Sequence, residues 1–432
     1  TDFGADNAND SWGWTDPDDG TEYALVGLDN GTAFLDISDP INPIYLGKLP
    51  THTSSSLWRD VKVYNNHAFV VSEANNHGMQ IFDLTRLRDV ANPPETFTED
   101  AHYGGFGGAH NIVINEETGY AYGVGADYSG GAHFVNIQDP LNPIGEGGYS
   151  GSGYTHDAQV VVYDGPDSDY TGKEIYIGSN EDKVVIVDVT DKTNPVLISA
   201  VTYTNDAYTH QGWFTEDLTY FIVGDEIDEL NFGFNTRNIV FDFTDLDNPQ
   251  LSFEYSGPTS ATDHNGYVDG DKFYLANYKA GMRVIDISDI SNENMTEIGF
   301  FDVFPSNNTA GYDGAWNVYP YFASGNILIS SLKYSSPDYV PGFYLVKSST
   351  LSVDDNFLSN FSLYPNPSTN SVKLSSTNTP ISEISIYDLS GKLLLSKKYN
   401  SEININLNIS NLGAGIYLLK INNKKSIKLI KN

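Results

Sequence analysis

The sequence predicts an all-β protein, a seven-bladed β-propeller followed by a small Ig-like β-sandwich, and three observations carry that reading. First, a phrase of alternating apolar residues that runs into an Asp-centred turn and closes on Asn-Pro recurs along the chain. It stands as FLDISDPINP at Phe34–Pro43, FVNIQDPLNP at Phe134–Pro143, VIVDVTDKTNP at Val185–Pro195 and VFDFTDLDNP at Val240–Pro249, with weaker copies IFDLTRLRD and VIDISDISN. The copies centre on Asp36, Asp83, Asn136, Asp188, Asp242 and Asp286, a spacing of about 45–55 residues that suits a propeller blade better than a helical solenoid. Second, 29 Tyr and 39 Gly among 432 residues favour short strands joined by tight turns. Third, the texture changes after LVKSSTLSVDDNF, where nine Lys meet five Asp or Glu from Asp354 onward while the whole chain carries a net charge of -34. A charge shift of that kind marks a domain boundary.

Each blade reads as four short strands. Upstream of VIVDV lie EIYIGS and HDAQVVVYD, and upstream of FLDIS lie EYALVGL and SWGWTD. The innermost strands accordingly begin near Trp12, Trp58, His110, His156, His210, His264 and Trp316, and the seventh set continues as GAWNVYPYF, NILISSL and GFYLVK. In the connecting turns Asp caps the turn with its side chain, Pro presets φ, and Asn is expected to take the left-handed region. No outermost strand follows GFYLVK, so either the ring is expected to close imperfectly or an N-terminal strand that would close it is expected to be missing, the second being the favoured reading. The domains are expected at 1–350 for the propeller, 351–360 for a linker and 361–432 for the sandwich.

Composition excludes several function classes. A pI near 4.3 argues against nucleic acid and against anionic membrane surfaces, because a phosphate backbone needs a basic groove. No apolar run reaches the roughly 18 residues of a membrane-spanning segment. Without cysteine there is neither a disulfide framework nor a thiolate zinc site. The opening TDFGADNAND has no Met and no apolar leader, as expected where a signal peptide has been removed.

The tail, with LYPNPS at Leu363–Ser368, IYDLSGKLL at Ile386–Leu394, LGAGIYLLKI at Leu412–Ile421 and the basic end KSIKLIKN, resembles the type A C-terminal sorting domain that Bacteroidota attach to cargo of the type IX secretion system. The resemblance implies export across the outer membrane to the cell surface or beyond, with the secretion machinery as partner and the tail as a removable address. The remainder resembles the choice-of-anchor B family, whose LVIVD-type repeats form a propeller. The segments that carry this are WGWTDPDDGTEYALVGLDNGTAFLDISDP, SSSLWRDVKVYNNHAFVVSEA, HGMQIFDLTRLR, GYTHDAQVVVYDGPD, YTHQGWFTED, DEIDELNFGFNTRN and GYDGAWNVYPYF. That family is defined by architecture, so it implies fold and location without chemistry.

The repeats differ most where the inner strands begin. Trp58-Arg59-Asp60, His110, His156-Asp157, His210, His264 and Trp316 occupy equivalent places, which in a propeller surround one end of the central channel. These residues are the expected ligand-binding mouth, although each His could instead clasp a neighbouring blade, or the imidazoles could ligate a transition metal with Asp157 or Asp60 orienting them. Acids at the ends of second strands, Glu73, Glu181-Asp182, Asp225-Glu226 and Asp228-Glu229, would ring the same face. Of these, Asp225, Glu226, Asp228 and Glu181 are the expected oxygen ligands of a Ca²⁺ ion, with Arg237 offering an ion-pair alternative. The acidic stretch Asp16–Glu22 lacks the oxygen spacing of an EF-hand loop and reads as a hairpin turn. The Gly-rich Tyr103–Asn111 is followed by no Lys-Ser/Thr pair and reads as a loop. No cofactor fingerprint stands out. The expected function is a secreted binding module for a ligand, glycan or protein; the alternatives are an extracellular hydrolase or lyase using the mouth His and Asp residues, and a structural surface-layer component.

Overall fold

A computed structural model describes residues 3–347, 361–376, 380–388, 392–422 and 425–432. The chain divides into two compact units, one ending at Lys347 and the other beginning at Ser348. The expected linker 351–360 lies outside the described residues.

The first unit is a propeller of seven antiparallel sheets. Its inner strands are Ala8–Thr15, Arg59–Tyr64, Asn111–Asn115, Asp157–Val162, Thr209–Phe214, Gly266–Asp269 and Gly314–Tyr319. Each pairs with the next strand outward, so the start of an inner strand lies beside the end of the second: Asp157 faces Ser179 and Asn111 faces Val124. Second and third strands such as Ile175–Ile177 and Val184–Val187 are buried on both faces, because every blade is packed between two others. They read as unbroken apolar runs for that reason. Aromatic rings fill the wedges, as where Phe34 stacks on Phe82 of the next blade at 4.7 Å.

The repeated turn forms as its residues dictate, with one difference. Asp36 Oδ1 accepts from the Ser38 amide at 2.8 Å, Asp188 Oδ1 from Thr190 at 2.9 Å and Asp242 Oδ1 from Thr244 at 2.9 Å. The second Asp turns the chain again: Asn42 and Asn142 donate their amides to the carbonyls of Asp39 and Asp139, each at 3.0 Å. The expected left-handed Asn is not found, since Asn42, Asn142, Asn194 and Asn248 are absent from the positive-φ residues. The following Pro favours extended backbone at its predecessor, and Asn42 and Asn142 serve instead by donating Nδ2 to Asp39 and Asp139 at 2.9 Å.

Blade two departs from the repeat. After its third strand, Met79–Asp83, a 3-10 turn at Leu84–Leu87 leads to Glu95–Thr96, which pairs in parallel with the outer strand of blade one. Only then does the chain add its own outer strand, Ala101–Tyr103. Gly47 permits the crossing, because a Cβ there would lie 2.2 Å from the Glu95 carbonyl oxygen. Asp16–Glu22 is a hairpin turn, closed by the Asp16 amide on the Thr21 carbonyl at 2.8 Å and clamped by Arg88, whose Nη2 donates to Asp16 Oδ1 at 2.7 Å.

Among the described residues blade seven has three strands, Gly314–Tyr319, Asn326–Leu332 and Phe343–Lys347. It joins blade one through polar contacts, with Asn317 Nδ2 donating to Asp10 Oδ1 at 2.6 Å and Ser330 Oγ donating to the Asn9 carbonyl.

The second unit stacks a three-stranded sheet, Phe361–Tyr364, Ser371–Ser376 and Asn404–Asn408, on a four-stranded sheet of Leu393–Glu402, Ile381–Tyr387, Gly415–Ile421 and Lys425–Lys431. Val372, Leu374, Ile405 and Leu407 point inward at alternate positions against Ile384, Ile386 and Leu419, the period-two pattern of a sandwich.

Candidate functional site

Inner strands carry polar residues down the channel because each blade gives the axis only every second side chain. Three levels follow from one end to the other.

At the first level, four imidazoles and an indole form an arc. Ring centroids stand 4.1 Å apart for His110–His156, 4.2 Å for His156–His210, 4.2 Å for His210–His264 and 4.1 Å for His264–Trp316. Each ring comes from a different blade. His156 Nδ1 donates to the His210 carbonyl at 3.1 Å and His264 Nδ1 to the Trp316 carbonyl at 2.6 Å. His110 Nδ1 contacts Glu73 Oε1 at 2.6 Å. These bonds fix tautomers, since a nitrogen facing a carbonyl must carry the proton and its ring partner keeps a lone pair. Burial pushes His156 and His210 well below the ordinary imidazole range and His264 down to about 3, with the neighbouring imidazoles acting in the same direction.

Glu226 reaches this arc from the end of a second strand. Its Oε2 is 3.8 Å from His210 Nε2 and its Oε1 is 3.9 Å from His264 Nε2, while Tyr278 donates its hydroxyl to Oε1 at 2.6 Å. Burial raises the Glu226 carboxyl to about 7. The arc, Glu226 and Tyr278 line a cavity of about 240 Å³ that opens past Trp58, Tyr312 and Tyr334. Trp58 is 39% and Tyr334 61% exposed, so both rings are accessible from outside.

Of the residues expected at the mouth, the structure brings together Trp58, His110, His156, His210, His264 and Trp316. Arg59, Asp60 and Asp157 do not line this cavity. Arg59 follows Trp58 in an extended strand and so points the other way, into the joint with blade one. There its Nε donates to the Leu28 carbonyl at 2.9 Å, its Nη2 to Thr51 Oγ1 at 2.7 Å, and its Nη1 meets His77 Nε2 at 3.0 Å.

Asp60 and Asp157 belong to the second level, a charged plug in mid-channel. Lys62 Nζ binds Asp60 Oδ1 at 2.5 Å and lies 4.7 Å from the Trp12 ring centroid. Asp60 Oδ2 also accepts the Ile112 amide at 2.8 Å. Burial raises Asp157 to about 7 and Asp10 well above the carboxylate range, with Lys62 opposing both shifts. Lys62 is held above its own usual value, burial opposing and the Asp10, Asp60 and Asp157 charges prevailing. The third level is a second cavity of about 420 Å³, lined by Trp12, Trp213, Tyr267, Tyr319 and Tyr321.

The four expected Ca²⁺ ligands do not converge. Asp225 spends both oxygens internally, accepting from the Tyr203 hydroxyl at 2.8 Å and from the amides of Ala207 and Tyr208 at 2.7 Å. Asp228 opens the short helix Asp228–Phe232 and accepts from Arg237 Nε at 2.6 Å. Glu181 sits exposed at a left-handed turn with φ 56°. Glu226 alone turns to the mouth, because successive residues leaving a strand project to opposite sides. Beside Asp228, Glu229 is buried with neither carboxylate oxygen hydrogen-bonded among the described residues, and burial raises it to about 11.

Tyr278, Tyr312, Tyr334 and Lys62 escaped the reading of the sequence. Tyr278 lies two residues beyond the second strand of blade six, Lys272–Ala276, one position further than Glu73 and Glu226 lie from theirs. Reading the loops that leave the second strands, and not only the acids at their start, would have found it. Lys62 lies two residues beyond Asp60, on the same face of its strand.

Comparison with known proteins agrees with this architecture. The LVIVD repeat matches at residues 21–51, 171–203 and 267–302. The secretion system C-terminal sorting domain matches at residues 362–432. No curated protein matches the chain. Among solved structures, PorZ, an essential bacterial surface component of the type IX secretion system of Porphyromonas gingivalis, aligns at TM-score 0.50 and 12% identity over 99% of this chain and 60% of PorZ. The chain thus spans less than two thirds of PorZ's length. A Lactobacillus plantarum protein aligns at TM-score 0.48 and 12% identity over 93% of this chain and 99% of its own. The β-propeller domain of Myceliophteria thermophila Cps50 aligns at TM-score 0.45 and 8% identity, covering 72% of this chain and 89% of that one. Among the described residues no helix is long and apolar enough to cross a membrane. The chain is therefore a β-propeller built on LVIVD repeats that carries a type IX secretion C-terminal sorting domain, the address of a protein exported to the cell surface or the extracellular space.

Proposed function

We propose that the propeller is an extracellular binding module whose ligand, a glycan, seats in the His-lined mouth. One observation carries this reading: Trp58, at the start of blade two, and Tyr312, Trp316 and Tyr334, on blade seven and the segment that enters it, border a cavity of about 240 Å³ into which imidazoles and Glu226 also project. Aromatic faces stack on the C–H surfaces of a sugar ring, and polar groups between them fix its hydroxyls. The cavity is of a size for one or two sugar residues rather than a folded domain.

The test is binding of soluble oligosaccharides to the full chain by calorimetry, with Trp58→Ala and Tyr334→Ala as variants. Both aromatics are exposed, so their removal should cost affinity, by tenfold or more, without lowering the melting temperature. Equal affinity in parent and variants would sink the glycan reading.

A hydrolase or lyase is the second reading. The short His110–Glu73 contact of 2.6 Å at the edge of the same cavity favours it, since a positioned imidazole and carboxylate can move a proton. Turnover of a bound saccharide that disappears in Glu73→Gln, with binding retained, would mark this reading as the right one.

A further inference from the structure

The region between Glu226 and the two imidazoles beside it contains an arrangement that hydrogen bonding leaves unexplained. The carboxylate stands 3.8 Å from His210 Nε2 and 3.9 Å from His264 Nε2, too far for hydrogen bonds. His210 is 1% exposed, yet among the described residues neither of its ring nitrogens has a hydrogen-bond partner. A neutral imidazole has one donor and one acceptor, and burying either unpaired costs on the order of 1–3 kcal/mol.

The separations suit a shared ion. Two atoms that each lie about 2.0–2.1 Å from one metal stand no more than about 4.2 Å apart. One ring nitrogen from each His and one Glu226 oxygen all fall within 4.8 Å of one another, so a small inward movement of the side chains brings all three to coordination distance. Their supports are of the kind that orient ligands. His264 Nδ1 donates to the Trp316 carbonyl at 2.6 Å, which leaves Nε2 with its lone pair, and Tyr278 donates to Glu226 Oε1 at 2.6 Å.

We propose that His210, His264 and Glu226 hold one divalent transition-metal ion of the zinc type, with its remaining coordination position facing the cavity. Two imidazoles and one carboxylate form a donor set for zinc or its first-row neighbours, whereas Ca²⁺ and Mg²⁺ prefer oxygen alone. The ion gives one of His210's two unpartnered ring nitrogens a partner and presents a Lewis-acidic point to a ligand hydroxyl or carboxylate lodged among Trp58, Tyr312 and Tyr334. The inference rests on the mouth being the binding site, and it adds what the ligand would be anchored to.

The test uses the untagged full chain, stripped with a chelator and titrated with Zn²⁺ against a chromophoric competitor, then with Co²⁺ for its visible spectrum. One equivalent of Zn²⁺ should bind, and Co²⁺ should show the strong visible bands of a low-coordinate site with nitrogen ligands. Glu226→Gln and His264→Ala should lose that equivalent. Tyr278→Phe, which removes only the support of Glu226, should weaken it by about 10–100-fold and keeps the test informative if a ligand variant fails to fold. Asp245→Asn, an exposed residue beside the half-buried Asp167 and exposed Asp247, should change nothing. No stoichiometric binding by the parent, or equal binding in parent, Glu226→Gln and Tyr278→Phe, overturns the proposal. The two readings fail separately: zinc bound without saccharide removes only the glycan, and saccharide bound by a chain that takes up no stoichiometric zinc removes only the metal.

Discussion

His156 donates from Nδ1 to the main-chain oxygen of His210, its counterpart one blade further on, at 3.1 Å, and His264 repeats the bond onto Trp316 at 2.6 Å. These two imidazoles therefore join blades through Nδ1 and leave Nε2 with its lone pair. His156→Ala should cost both the bond and the tilted ring contacts with His110 and His210, about 2–3 kcal/mol of stability. Urea denaturation at neutral pH checks this, and a loss under about 0.5 kcal/mol would mean that the joint contributes little.

The mid-channel plug depends on a single cation. Lys62→Met removes the partner of Asp60 and leaves Asp10 and Asp157 without their compensating charge. The expected loss is about 3–5 kcal/mol at pH 8. Because the Asp10 and Asp157 carboxyls titrate above their unfolded range, the folded variant takes up protons more readily than the unfolded chain, so the deficit should shrink as the pH is lowered towards 5. A deficit that is constant with pH would exclude the plug carboxylates as its cause.

His77 should make the propeller acid-sensitive. It is fully buried, accepts at Nε2 from Arg59 and donates at Nδ1 to the Gly78 carbonyl, each at 3.0 Å. Burial first, and then the Arg59, His52 and His102 charges, lower it to about 4. His52 itself faces Glu99 at 2.9 Å. A folded value below the unfolded 6.5 means that the unfolded chain binds the extra proton. The contribution of His77 is complete above about pH 6.5 and falls away, by roughly 3 kcal/mol, as the pH drops to about 4. His77→Gln should flatten that part of the pH–stability curve; an unchanged slope would assign it to other groups.

Gly13, on the inner strand of blade one, leaves no room for a methyl group. A Cβ there would stand 2.1 Å from the Tyr319 ring and 2.7 Å from Phe322, both held in the joint with blade seven. Gly13→Ala should lower stability by about 1–3 kcal/mol, read as a drop in melting temperature. No drop would show that these rings can yield.

The sorting domain forms its own sandwich core around Leu374, Ile384, Ile386 and Leu419. Deletion of residues 361–432 should leave a folded propeller that is no longer exported across the outer membrane, measured by cell fractionation and by protease accessibility on intact cells. Normal surface delivery of the truncated chain would contradict the role of the domain.

Much of the architecture was legible because it rests on local rules. The Asp36 and Asp188 turns are closed by side-chain bonds two residues away, and Val184–Val187 is apolar because any third strand packed between blades must be. The mouth was legible in part. Trp58, His156 and Trp316 start equivalent strands, so the repeat itself aligns them. Arg59 was misplaced by one step of strand alternation, and Asp60 and Asp157 by depth along the axis, which residue spacing does not encode. The acids Asp225, Glu226 and Asp228 looked like one group in the sequence; the chain sends one into a loop cap, one into the mouth and one to Arg237.

By itself, then, the sequence determined the blade, its number, its turns and the address carried at the end of the chain, since each depends on residues within one repeat or one short motif. Only the tertiary structure decided that His210, His264 and Glu226 meet. His210 and His264 lie on different blades, Glu226 leaves the second strand of the blade that holds His210, and the gap between the carboxylate and the rings is set by closure of the ring. Distances across a channel are a property of that closure, which no local pattern of residues specifies.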